Sequence, residues 1–211
     1  MIHVAVLGYG YWGPNLIRNF LDTEDARMAV CCDLDERRLA QVEAKYPRIA
    51  LTTDYNEVLK DPAIDAVVIA TPVATHYVFA RQALEHGKHV LVEKPMAASV
   101  AETESLIDIA AKRKLTLMVD HTFIYTGAVR KMKELIARGD LGELYYLDSV
   151  RINLGLFQKD VNVLWDQAPH DIAILDHLVE ETPVSVCANG VCHIGNGVET
   201  VAYLTVYFQS G

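Results

Sequence analysis

Short apolar runs recur through the first 120 positions, and each is followed by a stretch whose apolar residues return at helical spacing. Val4–Leu7, Met28–Cys32, Ala66–Ala70, His89–Val92 and Leu115–Val119 are four or five residues long, the length of a buried strand. Between two of them, Val100, Thr103, Leu106, Ile107, Ala110 and Ala111 share one face of a helix. Ser99 with Glu102 forms a capping box for it, Asp54 with Glu57 repeats the arrangement for a shorter helix, and Pro14 suits the first turn of another. Strands alternating with helices predict an α/β fold with a parallel sheet and crossover helices.

The pattern changes after residue 120. A helix over Val129–Ala137 is predicted to close at Gly139, and a β-rich stretch follows from Leu144 to Leu154. A further helix carries Ile172, Leu175, Leu178 and Val179 on its apolar face, ahead of strand runs at Val184–Cys192 and Thr200–Phe208. The chain therefore divides into a first domain over 1–120 and a second, α+β domain over 121–211 built on a mostly antiparallel sheet. So few strands leave the helices little to cover. The second domain reads as incomplete, or as one that takes sheet from another copy, giving a homo-oligomer through that sheet.

Composition narrows the function. A formal charge of -9 with no dense Lys/Arg run argues against a nucleic-acid partner, whose phosphates call for clustered cations. No uninterrupted apolar run reaches the ~18 residues of a membrane span. A strand directly after Met1 leaves no room for a secretory signal, so the expected location is cytoplasmic. Cys31 and Cys32 are adjacent, and Cys187 and Cys192, though followed by His193, lack a second ligand pair; all four read as buried thiols, with no metal site.

The candidate chemistry begins at Gly8-Tyr9-Gly10-Tyr11-Trp12-Gly13, which follows a strand and opens a helix. In a Rossmann domain Gly8 makes the tight turn, Gly10 lets the backbone approach a pyrophosphate, and Gly13 permits close helix packing, with Tyr11 and Trp12 on the same cofactor loop. Asp33, twenty residues past Gly13, stands where a carboxylate accepts hydrogen bonds from ribose hydroxyls. It favours NAD over NADP through repulsion of a 2′-phosphate, while Arg37 and Arg38 leave NADP open. The competing readings are an ordinary glycine turn and a helix cap at Asp33. Thr71-Pro72 and Glu93-Lys94-Pro95 each follow a strand, at the sheet edge where open α/β folds bind ligands.

Taken together, the glycine loop, Asp33, Ala70-Thr71-Pro72-x3-His76 and Glu93-Lys94-Pro95 resemble the Gfo/Idh/MocA oxidoreductase family in order and spacing. Asp166-x3-His170, within Trp165–Asp171, resembles the signature of its second domain. The resemblance implies a dehydrogenase in which Gly8, Gly10, Tyr11, Trp12, Gly13, Asp33, Thr71, Pro72, His76, Glu93 and Lys94 serve the cofactor. It further implies that Lys94 binds the reacting hydroxyl and that Asp166 and His170 complete the site. The residues themselves are compatible: four apart, Asp166 and His170 share a face at a helix start if Pro169 lies in the first turn. His170 suits a general base and Lys94 a donor to the developing alkoxide, though Lys94 could itself be the base. Tyr125 and His121 are candidate substrate contacts, whereas His177 reads as a satisfied domain histidine.

The substrate class that the resemblance implies is a sugar, cyclitol or nucleotide sugar. The run from Arg151 to Asp166 resembles a subgroup that points to an N-acetylated nucleotide sugar oxidised at carbon 3. Where the family usually has glycine-rich sequence before the Asp, this chain has Asn162-Val163-Leu164-Trp165. Two readings of other classes stand beside this one. One is a cofactor-binding regulatory or scaffold protein without turnover. The other is a metal-dependent sugar enzyme built on Asp166, His170 and Asp171, whose activity chelators would abolish.

Overall fold

The computed structural model describes residues 1–152, 161–195 and 197–210, which fall into two compact units, Met1–Asp120 and His121–Gly211. The first unit alternates strand and helix: β1 (Ile2–Leu7), α1 (Gly13–Leu21), β2 (Ala26–Cys32), α2 (Glu36–Lys45), β3 (Ala50–Thr52), α3 (Tyr55–Lys60), β4 (Ala66–Ile69), α4 (Val73–Glu85), β5 (His89–Val92), α5 (Val100–Arg113) and β6 (Leu117–Val119). The strands form one parallel sheet in the order β3-β2-β1-β4-β5-β6. That order reverses direction beside β1, as in a Rossmann fold. β3, only three residues long, carries too little apolar sequence to be seen in the chain alone.

Both faces of this sheet are covered, which is why its strands read as continuous apolar runs rather than alternating ones. Val4 and Val6 pack with Leu16, Ile17, Leu39 and Val42 of α1 and α2. Ala5 and Leu7 point the other way, toward Ala80, Ala83, Leu84 and Leu106 of α4 and α5. Helix starts follow local chemistry. The Asp35 carboxylate accepts the Arg37 amide at α2, and the Ser99 hydroxyl accepts the Glu102 amide at α5. The Glu102 carboxylate reaches Ala98, one residue short of the usual reciprocal partner. At α3, Asp54 caps the Asn56 amide while Glu57 turns to the Thr52 hydroxyl.

The second unit contains a short 3-10 turn (Thr122–Tyr125), α6 (Gly127–Ala137), α7 (Val163–Leu178) and an antiparallel hairpin of β7 (Pro183–Val191) and β8 (Val201–Phe208). Gly139, at φ +72°, follows α6, where a left-handed residue ends the helix cheaply. Two expectations are corrected here. Residues 144–152 form no strand, because β propensity needs a ladder partner and β7 and β8 pair with each other; 153 and 154 lie outside the described residues. Pro169 is not in the first turn of its helix: α7 starts at Val163, where the Asn162 side chain accepts the Trp165 amide 2.9 Å away, so Pro169 sits inside. It tolerates that place at the loss of one hydrogen bond to the Trp165 carbonyl. Cys187 is exposed and Cys192 half-buried rather than buried, since among the described residues β7 is left uncovered. Among the described residues, no helix is long and apolar enough to cross a membrane.

Candidate functional site

Hydrogen bonding continues one residue past the end of β1, β2, β4, β5 and β6, and this builds a rim. Asp33 donates its amide to Thr52, Gly8 to Cys32, Ala70 to Leu7, Glu93 to Ile69 and Asp120 to Val92. Five residues thus line up across the carboxyl edge of the sheet, three of them acidic. The sequence-predicted Gly8, Asp33 and Glu93 lie in this row, with Thr71 and Lys94 one residue beyond.

The glycine loop shows three different requirements. Gly8 has φ +97°, and a β-carbon there would stand 2.6 Å from the Ala70 carbonyl oxygen, so both conformation and space demand glycine. At Gly13 the same atom would collide with the Gly8 carbonyl. At Gly10 it would meet open space, its nearest neighbour being an Arg38 guanidinium nitrogen 3.9 Å away. Nothing inside the unit explains a glycine at this position. Tyr11 and Trp12 project outward from the loop as an edge-to-face pair with ring centres 5.1 Å apart. α1 begins directly after them with no side-chain cap and no acid in its first turn.

Asp33 is buried at the end of β2 and is not the cap of α2, a role that Asp35 takes. One of its oxygens accepts the Tyr9 amide at 2.7 Å and the other the Asp35 amide at 2.8 Å. The first oxygen also lies 3.4 Å from the half-exposed Arg38 guanidinium. Asp33 therefore fixes the glycine loop against β2 while keeping a cation beside it.

Thr71 and Pro72 lead into α4, where the Thr75 hydroxyl donates to the Pro72 carbonyl oxygen at 2.7 Å and lies 2.8 Å from the Thr71 hydroxyl. His76, one turn into α4, lies beneath the loops at 1% exposure, with ring nitrogens 2.8 Å from the Thr71 and Pro95 carbonyl oxygens. Glu93 is nearly buried, and its carboxyl is pushed up to about 7, first by burial and then by the neighbouring Asp120 carboxylate; Lys94 works the other way. Asp120 was not singled out from sequence. The register that pairs Val92 with Val119 carries the signal, since it makes Glu93 and Asp120 neighbours. The Lys94–Pro95 bond is cis, and Lys94 is half-buried.

In the second unit, α7 presents Asp166 and His170 one turn apart, as their spacing implies. The Asp166 carboxylate accepts the Gln167 side-chain amide. The His170 ring meets the Phe123 ring edge to face, 4.7 Å between centres, with its Nδ1 closed to solvent. The Arg151 guanidinium lies 4.8 Å from the centre of the Phe123 ring and makes a two-pronged ion pair with Asp171, at 2.8 and 3.3 Å. The Ser149 hydroxyl donates to the same carboxylate at 2.6 Å. Burial works to raise the Asp171 carboxyl, but the Arg151 and Ser149 hydrogen bonds outweigh it and hold the group below its usual range. Phe123 and Ser149 carried no motif in the sequence, and Arg151 stood out only as the start of a longer run; the fold gathers all three around α7. Tyr125 is exposed with the Arg130 guanidinium 5.8 Å above its ring, and His121 and His177 are half-buried. Residues 153–160 of the run from Arg151 to Asp166 lie outside the described residues. Among those described, no three or more His, Cys, Asp or Glu side chains stand together as metal ligands.

Comparison with known proteins places this arrangement. The family described as "Oxidoreductase family, NAD-binding Rossmann fold" matches residues 2–121, and the GFO/IDH/MocA C-terminal domain matches residues 129–211. The uncharacterized oxidoreductase YdgJ of Escherichia coli is 33% identical over 165 residues, covering 78% of this chain and 46% of its own length. The scyllo-inositol 2-dehydrogenase (NADP(+)) IolW of Bacillus subtilis is 26% identical, covering all of this chain and 60% of its own length. The crystal structure of GenD2 from gentamicin A biosynthesis, in complex with NAD, superposes with a TM-score of 0.89 at 26% identity, covering 100% of this chain and 63% of that one. The chain thus spans about half the length of the curated relatives it matches.

Proposed function

Since the chain belongs to the Gfo/Idh/MocA oxidoreductases, whose N-terminal domain is an NAD-binding Rossmann fold, we propose that it serves hydride transfer between a nicotinamide cofactor and a secondary alcohol of a sugar or cyclitol. The observation that carries this reading is Gly10. Its neighbours Gly8 and Gly13 are glycine because the fold leaves no room, whereas Gly10 faces open space and is explained by a group that approaches from outside. A pyrophosphate over the uncapped start of α1 is such a group. Asp33 would then hold the adenosine ribose, and Tyr11, Trp12, Thr71, Pro72 and Glu93 would line the cofactor's path. NAD supplies the hydride acceptor when bound.

The remaining chemistry belongs to the side chains. Lys94 donates to the substrate oxygen and stabilises the alkoxide charge as it develops. His170, or Lys94 itself, carries off the hydroxyl proton, and Asp166 orients the sugar with Tyr125 as a further contact. The relative named as a scyllo-inositol 2-dehydrogenase supports a polyhydroxylated small molecule as substrate, and a nucleotide sugar remains within the class. The exposed apolar side chains of β7 and β8 support assembly as a homo-oligomer through this sheet, which sedimentation would test.

Calorimetry with NAD and NADP, followed by absorbance at the NADH wavelength against a panel of sugars and cyclitols, tests the reading. Lys94→Ala is expected to lower kcat by about 10²–10⁴-fold while leaving NAD affinity within a few-fold. Turnover undiminished in this variant would remove Lys94 from the chemistry. Absence of dinucleotide binding at millimolar concentration would remove the function.

A further inference from the structure

Among the rim contacts, the link from the Thr71 loop to the Lys94–Pro95 turn runs through the ring of His76. Nδ1 stands 2.8 Å from the Pro95 carbonyl oxygen and Nε2 stands 2.8 Å from the Thr71 carbonyl oxygen. A carbonyl oxygen only accepts, so each contact is a hydrogen bond only where the facing nitrogen carries a proton. A neutral imidazole has one such proton. Its other nitrogen would aim a lone pair at a carbonyl lone pair, at hydrogen-bonding distance and at 1% exposure, where water cannot relieve the repulsion. With both protons present, each nitrogen donates a charge-assisted bond, which is the stronger kind.

We propose that His76 is an imidazolium at neutral pH and acts as a positioning residue, its two N–H groups pinning the Thr71–Pro72 loop to the Lys94–Pro95 turn. Burial alone would favour the neutral ring, and two hydrogen bonds to the charged form oppose it. The ionisable side chains nearest this corner along the elements that meet there are Tyr77 and Arg81 of α4, Glu93 and Lys94 of the turn, Glu102 in the first turn of α5 and Asp120 after β6. The clamp joins two stretches that the proposed function puts along the cofactor's path, and it holds the carbonyl of Pro95, the residue after Lys94. That part of the inference rests on the proposed function; the charge state does not.

The test begins with long-range proton–nitrogen NMR of the ¹⁵N-labelled chain. His76 is assigned by the signals lost in His76→Gln, or by through-bond correlation in the wild-type chain should that variant not fold. The expected result at pH 7.5, about a unit above the ordinary histidine value, is a proton on each His76 ring nitrogen. A single protonated nitrogen overturns the charge assignment. Calorimetry with NAD then compares the wild-type chain with His76→Gln, which can no longer donate along both directions. The expected loss of affinity is on the order of tenfold, with helix content retained by circular dichroism. Unchanged affinity in the folded variant overturns the positioning role. If His76→Gln does not fold, wild-type NAD affinity is followed upward in pH. It is expected to fall where NMR shows the second proton leaving, and an affinity indifferent to that event overturns the role equally. A wild-type chain that binds no NAD at all defeats the proposed function and leaves the NMR result to stand on its own.

Discussion

The parallel sheet of the first unit and the hairpin of the second are both rich in valine, yet they bury their apolar side chains to opposite extents. Val4, Val6, Val67, Val68 and Val92 are at 2% exposure or less, whereas Val186 is 67% and Tyr203 is 74% exposed. Every residue of β7 is exposed. The difference is one of layers. Crossover helices cover both faces of β1, β4 and β5, while α6 and α7 leave the hairpin open among the described residues. The rim of the first unit is thereby held by a packed core, whereas the polar side chains gathered in the second unit sit on single helices and turns.

The largest expected effect tests that contrast directly. Leu84→Ala in the first unit removes a fully buried side chain and is expected to cost about 3 kcal/mol by urea unfolding. Val186→Ala on the hairpin is expected to cost less than about 0.5 kcal/mol. Comparable losses at the two positions would mean that the hairpin is covered in solution, and faster amide exchange along β7 than along β1 is the matching observation.

A second effect of similar size separates the units by the sign of their pH dependence. Glu93 is pushed up to about 7 by burial, with Asp120 adding to it. Between the unfolded value near 4.5 and 7 the unfolded chain has released this proton and the folded chain keeps it, so stability falls as pH rises through that window. The full contribution is about 3 kcal/mol, and Glu93→Gln is expected to flatten it. Asp171 behaves oppositely: held down by Arg151 and Ser149 against its own burial, it contributes stability above the usual carboxylate range that is lost as the solution is acidified. Chemical unfolding between pH 2 and 8 reads both, Asp171 at the acid end and Glu93 above it, and a wild-type profile that is flat from 4.5 to 7 would contradict the burial of Glu93.

Most of the first unit was legible because its signals are local. Apolar runs, caps at Ser99 and Asp54, and the glycine loop each depend on residues within a few positions. The rim itself follows from strand ends once the sheet order is known. What could not be read was set by distant partners. β3 is too short to announce itself, Asp120 acquires its meaning from the register of β5 with β6, and His76 turns out to serve two backbone carbonyls nineteen and five residues away. The second unit was less legible for the same reason carried further. Residues 144–152 have strand composition and no ladder, and Pro169 misleads because a cap seven positions earlier had already started the helix. Phe123, Arg151 and Asp171 meet only through tertiary packing.

The smallest expected effect concerns cofactor choice and confines it to the first unit. Asp33 in its proposed place beside the ribose would repel a 2′-phosphate, while Arg38, 3.4 Å from its carboxylate and 3.9 Å from the β-carbon position of Gly10, would attract one. These opposed charges sit close enough that neither excludes NADP alone. Asp33→Asn removes the repulsion, retains one oxygen to accept the Tyr9 or Asp35 amide, and leaves Arg38 without its counter-ion. The ratio of NADP to NAD affinity is therefore expected to rise by about tenfold, or ~1.4 kcal/mol. Asp33→Asn combined with Arg38→Ala should return the ratio toward its starting value, because the attraction then goes too. Asp166→Asn, in the second unit, is expected to leave it untouched. A ratio that moved with Asp166 as much as with Asp33 would show that discrimination between the two cofactors is not made on the rim of the parallel sheet.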